Sequence, residues 1–267
     1  MAAPDPREPY RERPEWGPQP DGLYRSPIPP KTRSAMAASP SVPADFPGVV
    51  TAAPTRAIPH PHRWLSLRSH PDAPSAVEIA AIFNRLGTNY LLVGGHAVGC
   101  WSKAPRTTAD ADFLVFMPHF RRAQEAIAEA FPALRLEEHD AVARFSVATA
   151  GGDASEAVDL IRTHDALMLS ALENAAQVDA GGVPIRVPCP EAQVALKVAA
   201  VRSPNRAHED ALRDAADISS VCAGRALRED LLEALSRTIV SGTDAGLLAR
   251  VVRTALVGGD VVGACRA

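Results

Sequence analysis

Apolar and polar positions fall into regular spacing from residue 75 onward. In SAVEIAAIFNRLG, Ser75 to Gly87, the apolar residues Val77, Ile79, Ala80, Ile82, Phe83 and Leu86 recur mostly three and four apart. That spacing predicts an amphipathic helix closed by Gly87. A short apolar run at 90–93 predicts a buried strand, 96–102 a helix and 111–116 a second strand. Residues 119–130 read as a helix with Arg121, Arg122 and Glu125 on its solvent face. Further strands are expected at 134–137, 142–148 and 157–161, with Gly151-Gly152 in a hairpin turn. Beyond Pro190 the pattern turns helical, over roughly 191–202, 206–223, 227–239 and 243–256. No internal repeat is visible. The expected class is α/β (α+β): a small mixed sheet with flanking helices, then a helical C-terminal region.

The first 74 residues break this pattern. They carry 17 of the 24 prolines, with Pro-Ile-Pro-Pro at 27–30 and His-Pro-His at 60–62. Proline stops helices and removes ladder donors, so 1–74 is expected to be a disordered tail, or sequence upstream of a true start such as Met36. The remainder divides into a core at 75–188 and a helical region at 189–267. A net charge of −3 and a pI near 6.2 give no general field for polyanions, which speaks against a duplex-DNA module and leaves room for a local basic patch. Cys100, Cys189, Cys222 and Cys265 show no metal-ligand spacing and read as buried, reduced thiols. With no membrane-length apolar run and no signal-peptide core, the expected location is the cytoplasm.

The candidate chemistry lies in NYLLVGGHAVGCWSKAPRTTADADFLVF, Asn89 to Phe116. In a strand, residues two apart share a face, so Asp110 and Asp112 would project side by side while Ala111 and Phe113 turn inward. Two such carboxylates repel by a few kcal/mol at an effective dielectric of about 20. A divalent ion removes the conflict, and Mg²⁺ takes one or two carboxylates plus waters and substrate phosphates. Asp159, set among Ala157, Val158, Leu160 and Ile161, is either the third ligand of a two-metal site or an edge-strand acid facing solvent. Gly94-Gly95 after a buried strand would let the backbone approach a bulky anion, with the following helix's free N–H groups pointing at it.

Together these residues resemble the polymerase-β-like nucleotidyltransferase superfamily, most closely its minimal bacterial branch with the AbiE-type toxins. The resemblance lies in Gly94-Gly95, in Arg106, Thr108, Asp110 and Asp112 at alternate positions, and in the later Asp159, and it covers roughly 75–220. It implies transfer of a nucleoside monophosphate from an NTP to an acceptor hydroxyl, with pyrophosphate leaving. It further implies two Mg²⁺ ions on Asp110 and Asp112, and Asp159 on the ion beside the attacking hydroxyl, helping to draw off its proton. Gly94 and Gly95 would cradle the triphosphate. His96, where a serine often follows the first glycine in the superfamily, is either a phosphate contact or a cap and packing residue. Arg106 would reach the triphosphate or pin its loop, and Thr108 would shape that loop by hydrogen bonding.

In the helical half, Lys197 stands alone in an apolar stretch. It would either snorkel outward or meet a phosphate, as a lysine does in the toxin-type relatives. Asp210, Asp214 and Asp217 follow on one helical face, alternatively a charged outer face pairing with Arg206 and Arg213. The acceptor is left open among RNA (tRNA included), a protein and a small molecule, and an antitoxin-like partner would fit a toxin of a toxin–antitoxin or phage-defence pair. The rival expectation is a catalytically idle NTP- or partner-binding protein of the same fold. A metal phosphohydrolase ranks lower, because the eight histidines are scattered.

Overall fold

Ser75 opens the helix that anchors the core. Its hydroxyl accepts from the Glu78 N–H at 3.3 Å while the Glu78 carboxylate accepts from the Ser75 N–H at 2.8 Å, a reciprocal capping box. Gly87, at φ +65°, ends the same helix in the left-handed conformation. The computed structural model describes residues 62–68, 70–102, 108, 110–148, 154–239 and 244–267, all within the unit Asp45–Ala267.

In chain order the elements are α1 (His62–Leu65), α2 (Ala76–Leu86), β1 (Tyr90–Leu92), α3 (Gly94–Trp101), β2 (Ala111–Val115), α4 (Met117–Ala130), β3 (Arg135–Glu138), β4 (Val142–Ala148) and β5 (Ala154–Arg162). There follow α5 (Ala166–Glu173), β6 (Ala175–Asp179), β7 (Pro184–Pro188), α6 (Pro190–Arg202), α7 (His208–Cys222), α8 (Glu229–Ile239), α9 (Leu247–Leu256) and α10 (Val261–Arg266). The main sheet has the order β1-β2-β5-β4-β3. Its β2 and β5 run parallel and its other pairs antiparallel. The mixed sheet with flanking helices is the expected class.

Several boundaries differ from expectation. The folded part starts ahead of Ser75, since Leu65 and Ala73 are fully buried in the core; proline density alone hid them. The third helix starts at Gly94 rather than His96, so the glycine pair is its first turn. The helix α5, the hairpin β6–β7 and the short α10 were not anticipated. Gln177 and Arg186 interrupt the apolar positions of the hairpin and mask its strand pattern. Gly151-Gly152 lies outside the described residues.

Alternation along the central strands gives the sheet two unlike faces. Tyr90, Leu92, Phe113, Val115, Phe145, Val158 and Leu160 join α2 and α4 in one buried cluster. There Phe83, Tyr90 and Phe113 pack ring against ring at 5.2–5.8 Å. Leu91, Val93 and Leu114 point the other way, into a second cluster with Val194, Val198, Ile218 and Leu248 of the C-terminal helices. Asp112 shares its side of β2 with Leu114. The same alternation that builds the aromatic core therefore places the acids on the opposite face.

Candidate active site

The parallel register of β2 and β5 sets Asp112 directly beside Asp159. Asp110 lies at the entrance to β2, where its carboxylate accepts from the Thr108 hydroxyl at 3.1 Å. Ligand oxygens of Asp110, Asp159 and Glu156 lie within 4.8 Å of one another.

Glu156 was missed by sequence reasoning because strict alternation puts residues 156 and 159 on opposite faces. A register shift removes the difficulty. Asp159 pairs with Arg144 and Val158 with Phe145, but Ser146 pairs with Glu156, leaving Ala157 as an extra residue. This bulge returns Glu156 to the face of Asp159. Arg144 shares that face. Its Nε and Nη2 donate to the two Asp159 oxygens at 3.0 and 2.9 Å, and its Nη1 lies 2.6 Å from Glu156. Hydrogen bonding to Asp159 drives the Arg144 pKa up. A lone Arg in an antiparallel strand opposite an acid was the available signal, through cross-strand pairing.

Burial, and then the charges of Asp110 and Asp159, push the Asp112 carboxyl up to about 7, partly offset by Lys197. Such a carboxyl is short of a cation. Gly94 explains how it is accommodated: a Cβ built on Gly94, at φ +62°, would lie 1.8 Å from Asp112 Oδ2. The missing side chain at Gly94 makes room for the carboxylate itself, at the start of α3. His96 is buried in that helix beside a recess that Thr108, Asp110, Ala111 and Ala157 also line. Gly95 is buried in the same turn.

Lys197 does not snorkel. It is buried on α6, with Nζ 2.7 Å from Asp214 and 2.8 Å from Asp217 of α7. Arg206 holds the other Asp214 oxygen at 2.8–2.9 Å. Asp214 and Asp217 are buried, so the charged outer face is confined to Asp210, which pairs with Arg213 at 2.5 Å. Arg106 lies outside the described residues. All four cysteines are buried and unbridged.

A divalent ion fits this donor set: hard carboxylate oxygens of Asp110, Glu156 and Asp159 crowd together, beside Asp112, whose carboxyl is raised by burial and then by its acidic neighbours. No protein-family model matches the chain, and no curated protein does. Among solved structures the chain is similar to an antigenic nucleotidyltransferase-like protein from Paracoccidioides brasiliensis, at 16% identity over 68% of this chain and 90% of that one, with a TM-score of 0.43. It is also similar to the lincosamide antibiotic adenylyltransferase LnuA in lincomycin-bound form, at 15% identity over 55% and 95% of the two chains, TM-score 0.37. A third is the antibiotic-resistance factor ANT(2'')-Ia, at 18% identity over 61% and 88%, TM-score 0.38. Likenesses this slight carry no argument about activity. No helix among the described residues is long and apolar enough to cross a membrane.

Proposed function

We propose that the protein is a Mg²⁺-dependent nucleotidyltransferase that moves a nucleoside monophosphate from an NTP to an acceptor hydroxyl. The observation that carries this reading is the grouping of Asp110, Glu156 and Asp159 oxygens on one sheet face, with Asp112 in direct register beside Asp159. In-line displacement at phosphorus needs charge neutralisation and alignment more than covalent chemistry from the protein. The hydroxyl oxygen bonds to the α-phosphorus, the bond from that phosphorus to the bridging oxygen breaks, and pyrophosphate leaves.

Asp110 and Asp112 would hold the metal, and Asp159 would share it and take the hydroxyl proton. Bound Mg²⁺ would neutralise charge building on the phosphoryl oxygens. The first turn of α3, at Gly94, Gly95 and His96, offers backbone N–H groups to the triphosphate. Arg106 is a further phosphate contact in this proposal, while Lys197, held by Asp214 and Asp217, contributes its charge near Asp112. The acceptor is an RNA, a protein or a small molecule. The resemblance in sequence motifs alone extends the proposal to a toxin paired with an antitoxin. An idle binding protein is disfavoured by a complete carboxylate set.

The test is incubation with each α-labelled NTP, Mg²⁺ and panels of RNA, protein and small-molecule acceptors, with pyrophosphate release followed in parallel. Label transfer that EDTA abolishes is expected. Absence of both transfer and pyrophosphate release with every NTP and panel would contradict the reading.

A further inference from the structure

Arg144 occupies the oxygens that a metal on Asp159 must use. Its Nε and Nη2 form a two-pronged contact with both Asp159 oxygens, while Nη1 reaches Glu156, which the β5 bulge presents on the same face. We propose that Arg144 is a resident counter-cation of the site: it holds Asp159 while metal is absent, and on metal binding withdraws to Glu156. This rests on the nucleotidyl-transfer reading and names two positioning residues for it.

The chemistry follows from the contacts. Charge-assisted, two-pronged contacts are stronger than neutral hydrogen bonds, so a divalent ion must compete for lone pairs that the guanidinium already occupies. The guanidinium cannot shed its charge, and expelling it to an apolar neighbour would be costly. Glu156 removes that difficulty by keeping one prong engaged throughout. Asp159 therefore stays paired in the empty site, and metal binding without nucleotide is weakened.

The test is calorimetric titration of Mn²⁺ into nucleotide-free protein, for the parent, Arg144→Met, Glu156→Gln and the double variant. Arg144→Met should bind Mn²⁺ about tenfold tighter, the scale of a lost charge-assisted competitor. Glu156→Gln should weaken binding in the parent background and have no effect in the Arg144→Met background, since it acts through Arg144. Arg144→Met binding no tighter than the parent would overturn the proposal. So would Glu156→Gln weakening both backgrounds equally, which would make Glu156 a ligand in its own right. Should Arg144→Met fail to fold, Arg144→Lys keeps the charge without the fork and should tighten binding by about threefold; unchanged affinity there is equally fatal. Parent and Arg144→Met alike binding no Mn²⁺ would instead refute the metal-dependent reading itself.

Discussion

Two charged clusters approach each other near Lys197, and they are balanced differently. In the helical cluster, Lys197 and Arg206 face Asp214 and Asp217, two cations against two carboxylates. In the sheet cluster, among the described residues, Arg144 pairs with Asp159 and Glu156 within a group of four acids that also holds Asp110 and Asp112. The first is a clamp between α6 and α7 that satisfies itself. The second holds more carboxylates than paired cations among the described residues, and burial, then the charges of Asp110 and Asp159, makes Asp112 resist ionisation. Charge balance thus separates a network that satisfies itself from one that a cation would complete, although both are rich in aspartate.

Opposite responses to neutralisation break or sharpen this contrast. The largest effect is expected on transfer: Asp159→Asn should lower it by about a thousandfold or more, since a metal ligand and proton acceptor supplies several kcal/mol of transition-state stabilisation. Steady-state incorporation of labelled nucleotide checks it. Next is the clamp. Asp214→Asn leaves buried Lys197 with Asp217 as its one remaining carboxylate and takes from Arg206 its buried partner, and should cost about 3 kcal/mol, read from urea melts. A loss under about 1 kcal/mol would mean that the helical cluster is not a clamp.

A smaller effect comes from pH. In the metal-free fold Asp112 keeps its proton up to about pH 7, against the 3.8 ordinary for an aspartate. Between those values the native state binds more protons than the unfolded chain, so this group's contribution to stability falls as pH rises. The contribution is fully present below the lower value and lost above the upper, a span of roughly a few kcal/mol. Urea melts in EDTA at pH 5 and pH 8 should show the parent losing more stability than Asp112→Asn. Equal losses would mean that Asp112 ionises normally.

The two clusters were also unequally legible in the sequence. Asp110 and Asp112 in an apolar strand, and Asp159 in another, stood out because period-two spacing leaves few reasons for buried acids. The aromatic face was legible for the same reason. Glu156 was not, because a one-residue bulge inverts the face on which it stands and nothing local announces it, whereas Arg144 was missed although open to a cross-strand pairing argument. Lys197, Asp214 and Asp217 were visible as residues, but helical spacing alone could not show that α6 turns its lysine onto α7. The hairpin β6–β7 stayed hidden because its polar positions dilute the strand signal on both sides of the Gly181-Gly182 turn.

The most direct test of a cation-seeking sheet face is a pair of melting curves for the parent and Asp112→Asn, in EDTA and in Mg²⁺ with a non-hydrolysable NTP. In EDTA the variant should melt at or above the parent, because it relieves the repulsion around Asp112. Mg²⁺ with NTP should raise the parent's Tm by mass action and do much less for the variant. A variant that melts well below the parent in EDTA, or that gains as much from Mg²⁺ and NTP, would contradict the account.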